Sequence, residues 1–254
     1  MIVLPMAGLS SRFFQAGYTV PKYMLELHGH SVFAHALGSF AALFGQERFL
    51  VVCRDLHGTS DFVRRECAAL GLPIASLDLV VLGRVTAGQA ETVAEGLRVA
   101  GVAPDTPLTI FNIDTFRPGF RYPADLDLAA IDGYLEVFEG PGNHWSFVRP
   151  DPDAPDARRA VEVAEKVRIS ALCSDGLYHF REAGLFLDLY GETAGQDPAM
   201  LQGGERYVAP LYNIAIARGC DIRYSIVAMD DIRFCGTPAE YDALRIRPSF
   251  GPMA

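Results

Sequence analysis

The chain opens on "MIVLPMAGLSSRF", residues 1–13. An apolar run leads directly into Ala7, Gly8, Leu9, Ser10 and Ser11, and a cation comes next at Arg12. A short apolar run bounded by small residues reads as a buried strand. In an open α/β sheet, ligands sit beyond the carboxyl ends of the strands. Gly8 and the two serines let backbone N–H groups approach an anion closely. The planar guanidinium of Arg12 suits phosphate oxygens. Lys22, after the rigid Pro21, adds a second cation. The loop reads as a phosphate cradle with two cations, although it matches neither GxxxxGK[ST] nor GxGxxG. Taken alone, it reads equally well as a tight turn with a solvated arginine.

Beyond this loop the chain alternates strands with helices. "HSVFAHALGSFAALF" has helical spacing at Val32, Phe33, Ala36, Leu37 and Phe40. "RFLVVCR" reads as a buried strand. "SDFVRRECAALG" reads as a helix with Ser60 as N-cap and Gly71 as its stop. "LDLVVLG", "QAETVAEGLRVAG" and "PLTIFNID" continue as strand, helix and strand. This order predicts a mostly parallel central sheet flanked by helices. In the second half, "DGYLEVFE", "HWSFVRPD", "AVEVAEKVRIS" and "CSDGLYHF" read as inserted strands, with "PDPDAPDA" as a hairpin tip. "YVAPLYNIAIARG" reads as a helix broken by Pro210, "DIRYSIVAM" as a strand, "PAEYDALRI" as a last helix and "RPSFGPMA" as a frayed tail.

The 254 residues, half of them hydrophobic, suit one large domain. A net charge of −9 argues against a nucleic-acid surface. No apolar stretch approaches the roughly 20 residues that span a bilayer. The five cysteines have no metal-site spacing. With no leader ahead of the first strand, they are expected as buried free thiols of a cytoplasmic protein.

A second constellation is "FNIDTF". Asp114 lies just past an apolar strand, where a carboxylate faces the same ligand as the first loop. Beside triphosphate oxygens it could hold Mg²⁺, a hard ion with oxygen ligands, and Asn112 could assist. An ordinary strand-ending aspartate fits those residues as well.

Six segments in order carry a resemblance. They are "MAGLSSRF" with "PKYMLELHG", "TAGQAETV", "FNIDTF", "VAEKVRIS" with "SDGLYHF", "GGERYVAPLYN" and "FCGTPAEYDAL". Together they resemble the sugar-1-phosphate nucleotidyltransferases of the glucose-1-phosphate thymidylyltransferase type, in particular those that serve capsule and surface polysaccharides. The resemblance implies a Rossmann-like nucleotidyltransferase fold over residues 1–254. Its nucleotide half would span about 1–115 and its acceptor half about 116–245. It implies that an NTP and a sugar 1-phosphate give an NDP-sugar and pyrophosphate, with Mg²⁺ as cofactor. Ala7, Gly8, Ser10 and Ser11 would then contact the nucleotide, and Gly88 and Gln89 would read its base. Arg12 would contact the leaving phosphates and Lys22 the α-phosphate region. Asp114 would bind the metal and Lys166 the acceptor phosphate. Glu165, Gly176, Tyr178, Glu205 and Asn213 would line the acceptor pocket. Without the family pattern, Glu165-Lys166 reads as a solvated strand pair, and Tyr178, Tyr207 and Tyr212 read equally as core-rim aromatics. Neither nucleic acid nor membrane is expected as a partner, and a homo-oligomer stays open.

Two positions depart from the family pattern. Ser10 stands where a second glycine is usual, and Phe234 stands where many relatives carry a second metal-binding aspartate. Asp230 and Asp231 are the nearest carboxylates along the presumed strand. Two alternative functions remain: a cytidylyltransferase acting on phosphocholine or another small phosphorylated alcohol, and a catalytically impaired binding homologue.

Overall fold

The computed structural model describes residues 1–247. Most of the "RPSFGPMA" tail therefore lies outside the described residues. The fold class is α/β, with helices against a central sheet. The chain forms two compact units and enters each more than once, so no single linker divides it.

The first unit comprises Ile2–Val85, Asn112–Tyr122 and the chain from Asp230. Its strands Ile2–Met6, Phe49–Cys53 and Leu77–Val81 pair in parallel, in that order. Every residue of Phe49–Cys53 is buried, as a parallel strand covered on both faces requires. The helix expected over 30–44 is shorter, Val32–Gly38, with a separate 3₁₀ turn after it at Ala41–Leu43. Gly38 and Ser39 are weak helix formers at that break. Ser31 caps the helix, its Oγ accepting from Ala34 N. The next helix, Thr59–Ala69, begins two residues earlier than its sequence suggests. Its N-cap is Gly58, in the left-handed region at φ 68°, and Ser60 lies in the first turn. Gly71, at φ 78°, comes just after its end as expected.

Phe13, Leu25, Leu27, Phe116, Cys235 and Tyr241 share one buried cluster. The Phe13 ring lies 5.5 Å from Tyr18 and 6.3 Å from Tyr241. This anchor ties the short helix Ser11–Gln15 to the helix Pro238–Arg245. The latter carries a capping box between Thr237 and Glu240.

The second unit comprises Met1, Thr86–Phe111 and Pro123–Met229. Here the inserted strands pair mainly antiparallel, in the order Ala160–Glu165, Ser146–Pro150, Leu172–Phe180, Leu108–Phe111. Gly133–Glu139 pairs antiparallel with Leu172–Phe180 and parallel with Ile222–Ile226. "PDPDAPDA" leads into the turn of the first hairpin, as its composition suggests. Helix Gln89–Val99 packs against Ala183–Ala194. That second helix is not among the elements expected from sequence, although Phe186, Leu189 and Tyr190 sit on its buried stripe. Helix Leu211–Ala217 starts after Pro210 instead of being broken by it. A proline lacks an N–H that the first turn does not need.

All five cysteines are free, four buried and Cys220 half-buried. Among the described residues, no helix is long and apolar enough to cross a membrane.

One buried group makes folding pH-sensitive. His179 is buried, with Nδ1 2.9 Å from Thr109 Oγ1. Burial, then the nearby N-terminal ammonium, lowers its pKa from 6.5 to about 4. The unfolded chain therefore binds a proton below pH 6.5 that the folded chain refuses. This contribution is intact above pH 6.5 and is lost progressively towards pH 4, reaching about 2–3 kcal/mol. Buried His35 shifts in the same direction. Denaturant titrations from pH 7 to 4 should show this loss, and it should be smaller in His179→Gln.

Candidate active site

In the first unit, the signature loop leaves the buried strand Ile2–Met6 and enters the helix Ser11–Gln15. Ser10 adopts φ 53°, the left-handed region where glycine costs least. A glycine would adopt that backbone without strain. Ser10 compensates with its hydroxyl, which accepts a hydrogen bond from Lys22 N at 3.2 Å. Ala7 is buried, and a Cβ on Gly8 would meet nothing within 4 Å. Arg12 is exposed.

Lys22 Nζ lies 2.5 Å from Asp114 Oδ2. Their side chains are 22% and 20% exposed, so the pair is screened far less than a surface pair. Burial opposes the Asp114 charge. Lys22, by charge and hydrogen bond, and Arg12 more weakly, nevertheless hold the carboxyl below its ordinary pKa. Asp114 precedes the short strand Thr115–Phe116, which pairs with Arg233–Phe234. Its carbonyl accepts from Cys235 N at 2.7 Å. A Cβ on Gly236 would sit 3.0 Å from Asp114 Oδ2, so this glycine lets the carboxylate lie against the backbone.

Asp230 and Asp231 are not on a strand. They lie in the exposed 3₁₀ turn Met229–Asp231, so the alternation of strand faces does not apply to them. Among the described residues, no three His, Cys, Asp or Glu groups converge as a metal site. An ionised Asp114 nevertheless fits Mg²⁺ in one mode. Magnesium commonly takes one or two carboxylates and completes its octahedron with phosphate oxygens and water.

In the second unit, Glu165 ends the strand Ala160–Glu165 and is buried. Ser146 Oγ donates to Glu165 Oε2 and lies 3.3 Å from the Tyr178 hydroxyl. Burial raises the Glu165 pKa, while Ser146 and Lys166 moderate the rise. Lys166 comes next at φ 57°, which turns its side chain out of the strand's alternation. Its Nζ donates to the Tyr207 hydroxyl and lies 4.4 Å from that ring's centroid. Glu165 N donates to Gln202 Oε1 at 2.8 Å. Gly176, at φ 95°, lies where the ladder register shifts between Ser174 and Tyr178. Tyr178 is buried among these groups, and Glu205 is exposed but electrostatically coupled to Glu165 and Lys166. Asn213 lies on the helix Leu211–Ala217. Its amide binds Val163 N and O at 2.8 and 2.5 Å, docking a helix onto a strand.

The "TAGQAETV" loop belongs to the same unit. Gly88 precedes helix Gln89–Val99 at φ 148°. Arg206 N donates to Ala87 O, and Ala90 N donates to Arg206 O. A Cβ on Gly88 would lie 2.6 Å from Arg206 N and O. Gly88→Ala should therefore destabilise by about 2 kcal/mol and lower Tm by roughly 4–8 °C. Thermal melting checks this, and an unchanged Tm would contradict the close approach.

Ser146, Gln202 and Arg206 are not among the residues that the sequence marks. Their contacts are made across long sequence separations, and no local pattern signals them.

The fold and the comparison with solved structures define a nucleotidyltransferase. Over 97% of this chain and 100% of the other, the protein is 45% identical to a nucleoside-diphosphate-sugar pyrophosphorylase of Vibrio cholerae RC9, with a TM-score of 0.89. The chain belongs to that nucleoside-diphosphate-sugar pyrophosphorylase family. More distant structures share the fold. A Bacillus anthracis protein assigned as a glucose-1-phosphate thymidylyltransferase is 16% identical over 99% of this chain and 97% of its own, with a TM-score of 0.74. The inositol-1-phosphate CTP transferase of T. maritima is 15% identical over 96% and 93%, with a TM-score of 0.69. No protein-family model and no curated protein sequence matches the chain.

Proposed function

We propose that the protein joins an NTP to a sugar 1-phosphate, giving an NDP-sugar and pyrophosphate. The observation that carries the acceptor assignment is the adjacency of the Lys166 cation to the buried carboxylate of Glu165, whose charge it favours. A cation beside a buried carboxylate suits a ligand that presents a phosphate and hydroxyls together. The nucleotide's phosphates lie over Ala7, Gly8, Ser10 and Ser11, and Gly88 and Gln89 read the base. Lys166 holds the acceptor phosphate, while Glu165, Gly176, Tyr178 and Glu205 form the sugar's surroundings.

An acceptor phosphate oxygen attacks the α-phosphorus. The bond from the α-phosphorus to the bridging oxygen breaks, and pyrophosphate leaves with that electron pair. No covalent enzyme intermediate is needed. The protein positions two polyanions and offsets their repulsion. Arg12 stabilises charge on the leaving phosphates, and Lys22 exchanges its Asp114 partner for the α-phosphate region. Asp114 would hold Mg²⁺, which supplies Lewis-acid polarisation of phosphoryl oxygens. We read residues 1–254 as one nucleotidyltransferase domain working in the cytoplasm, where NTPs are made, for surface-polysaccharide synthesis.

The phosphocholine reading needs open aromatic faces for a quaternary ammonium. Tyr178 and Tyr212 are buried, and the Tyr207 ring is engaged by Lys166. These placements favour a sugar phosphate. Retention of Arg12, Lys22, Asp114 and Lys166 favours a working enzyme over a binding homologue. The test is initial pyrophosphate release with each of four NTPs against a panel of hexose 1-phosphates and phosphocholine. Turnover confined to phosphocholine would overturn the acceptor assignment.

A further inference from the structure

We propose that Tyr207 is a second binding residue for the acceptor's phosphate, acting with Lys166 as a two-pronged anion clamp. The inference rests on the reading that Lys166 faces that phosphate. An ammonium can only donate hydrogen bonds, whereas a phenol can donate one and accept others. Because Lys166 Nζ donates to Tyr207 Oη, the phenol is the acceptor in that contact. Its own O–H is left to donate. Among the described residues, no hydrogen bond from it to a protein acceptor is found. Its oxygen already sits at a cation, so the O–H is polarised towards an anion. Two adjacent donors, one charged and one neutral, suit two oxygens of one phosphate.

The surrounding chain fixes this geometry. Lys166 N donates to Trp145 O, and its left-handed backbone directs the side chain to Tyr207. Tyr207 lies in a segment tied at two further points. Gln202 Oε1 accepts from Glu165 N, next to Lys166. Arg206 forms the two backbone bonds to Ala87 and Ala90, beside Gly88. Its buried guanidinium also binds the carbonyls of Thr193, Ala194 and Gln196, at the end of helix Ala183–Ala194. One short segment therefore holds Tyr207 against Lys166 and keeps the "TAGQAETV" loop in register with both.

Tyr207→Phe keeps the ring under the ammonium and removes only the hydroxyl. The experiment measures binding of inorganic phosphate, of glucose 1-phosphate and of each NTP by calorimetry, with Tm as a control, for wild type, Tyr207→Phe and Lys166→Met. We expect Tyr207→Phe to weaken both ligands roughly 10-fold or more, the scale of a hydrogen bond to a charged group, with Tm and NTP affinity unchanged. Lys166→Met should abolish phosphate binding. Full phosphate affinity in Tyr207→Phe, beside a loss in Lys166→Met, would overturn the clamp alone. Full affinity in Lys166→Met would overturn the underlying acceptor assignment. Equal weakening of NTP and phosphate in Tyr207→Phe would show a merely structural hydroxyl and overturn the clamp as well.

Discussion

An Asp114→Asn variant is expected to fold and to lose roughly 10³-fold or more of turnover, because several kcal/mol of charge stabilisation depend on it. The substitution keeps the shape of the side chain and can still accept from Lys22. It removes the charge that makes Asp114 a ligand for a divalent cation. Lys22 and Arg12 hold the wild-type carboxyl ionised despite burial, so the negative charge is present at neutral pH. Phe234 carries no carboxylate, and Asp230 and Asp231 lie on an exposed turn. Raising Mg²⁺ should recover Asp114→Asn only partly. Asp230→Asn and Asp231→Asn should keep wild-type Mg²⁺ dependence. Activity against Mg²⁺ concentration for the three variants checks all of this, and a fully active Asp114→Asn would remove the metal assignment.

Arg12→Ala and Lys22→Ala are each expected to cost on the order of 100-fold in kcat/KM, as groups that stabilise charge developing in the transition state. Their effects on stability should differ. Arg12 is exposed, so its removal should leave Tm nearly unchanged. Sequence alone places both cations near the surface. Lys22 instead sits mostly buried against Asp114, and its removal strands a carboxylate. Lys22→Ala should lose about 1–3 kcal/mol, less than the breaking of a fully buried pair. Steady-state kinetics beside thermal melting separates the two variants. A folded Arg12→Ala enzyme with normal kcat/KM would remove Arg12 from the phosphate site.

Much of the fold is legible in the amino-acid order. Buried parallel strands announce themselves as apolar runs, and "MIVLPMA" and "RFLVVCR" form them, whereas "LDLVVLG" forms a half-exposed strand at the end of the sheet order with only Val80 buried. Lys22 and Asp114 each stand out in the sequence, but their direct pairing does not. A contact across 92 residues leaves no local trace. Ser60 reads as a cap because serine commonly caps helices. Gly58 takes that place because the preceding turn needs the left-handed region. Asn213 enters through the family pattern, whereas here its amide is satisfied by one residue's backbone. Of the second-unit cluster, the sequence marks Glu165-Lys166 as a pair, and Gly176, Tyr178 and Glu205 enter through the family pattern. Ser146, Gln202 and Tyr207 join it through the tertiary fold.

The central claim is that an acceptor phosphate displaces pyrophosphate from an NTP. ³¹P NMR of the protein with an NTP, Mg²⁺ and a sugar 1-phosphate tests it directly. Pyrophosphate and a new diphosphate diester should appear in equal amounts, and neither should form when the sugar phosphate is omitted. Pyrophosphate released without the acceptor, or inorganic phosphate in place of pyrophosphate, would contradict the account.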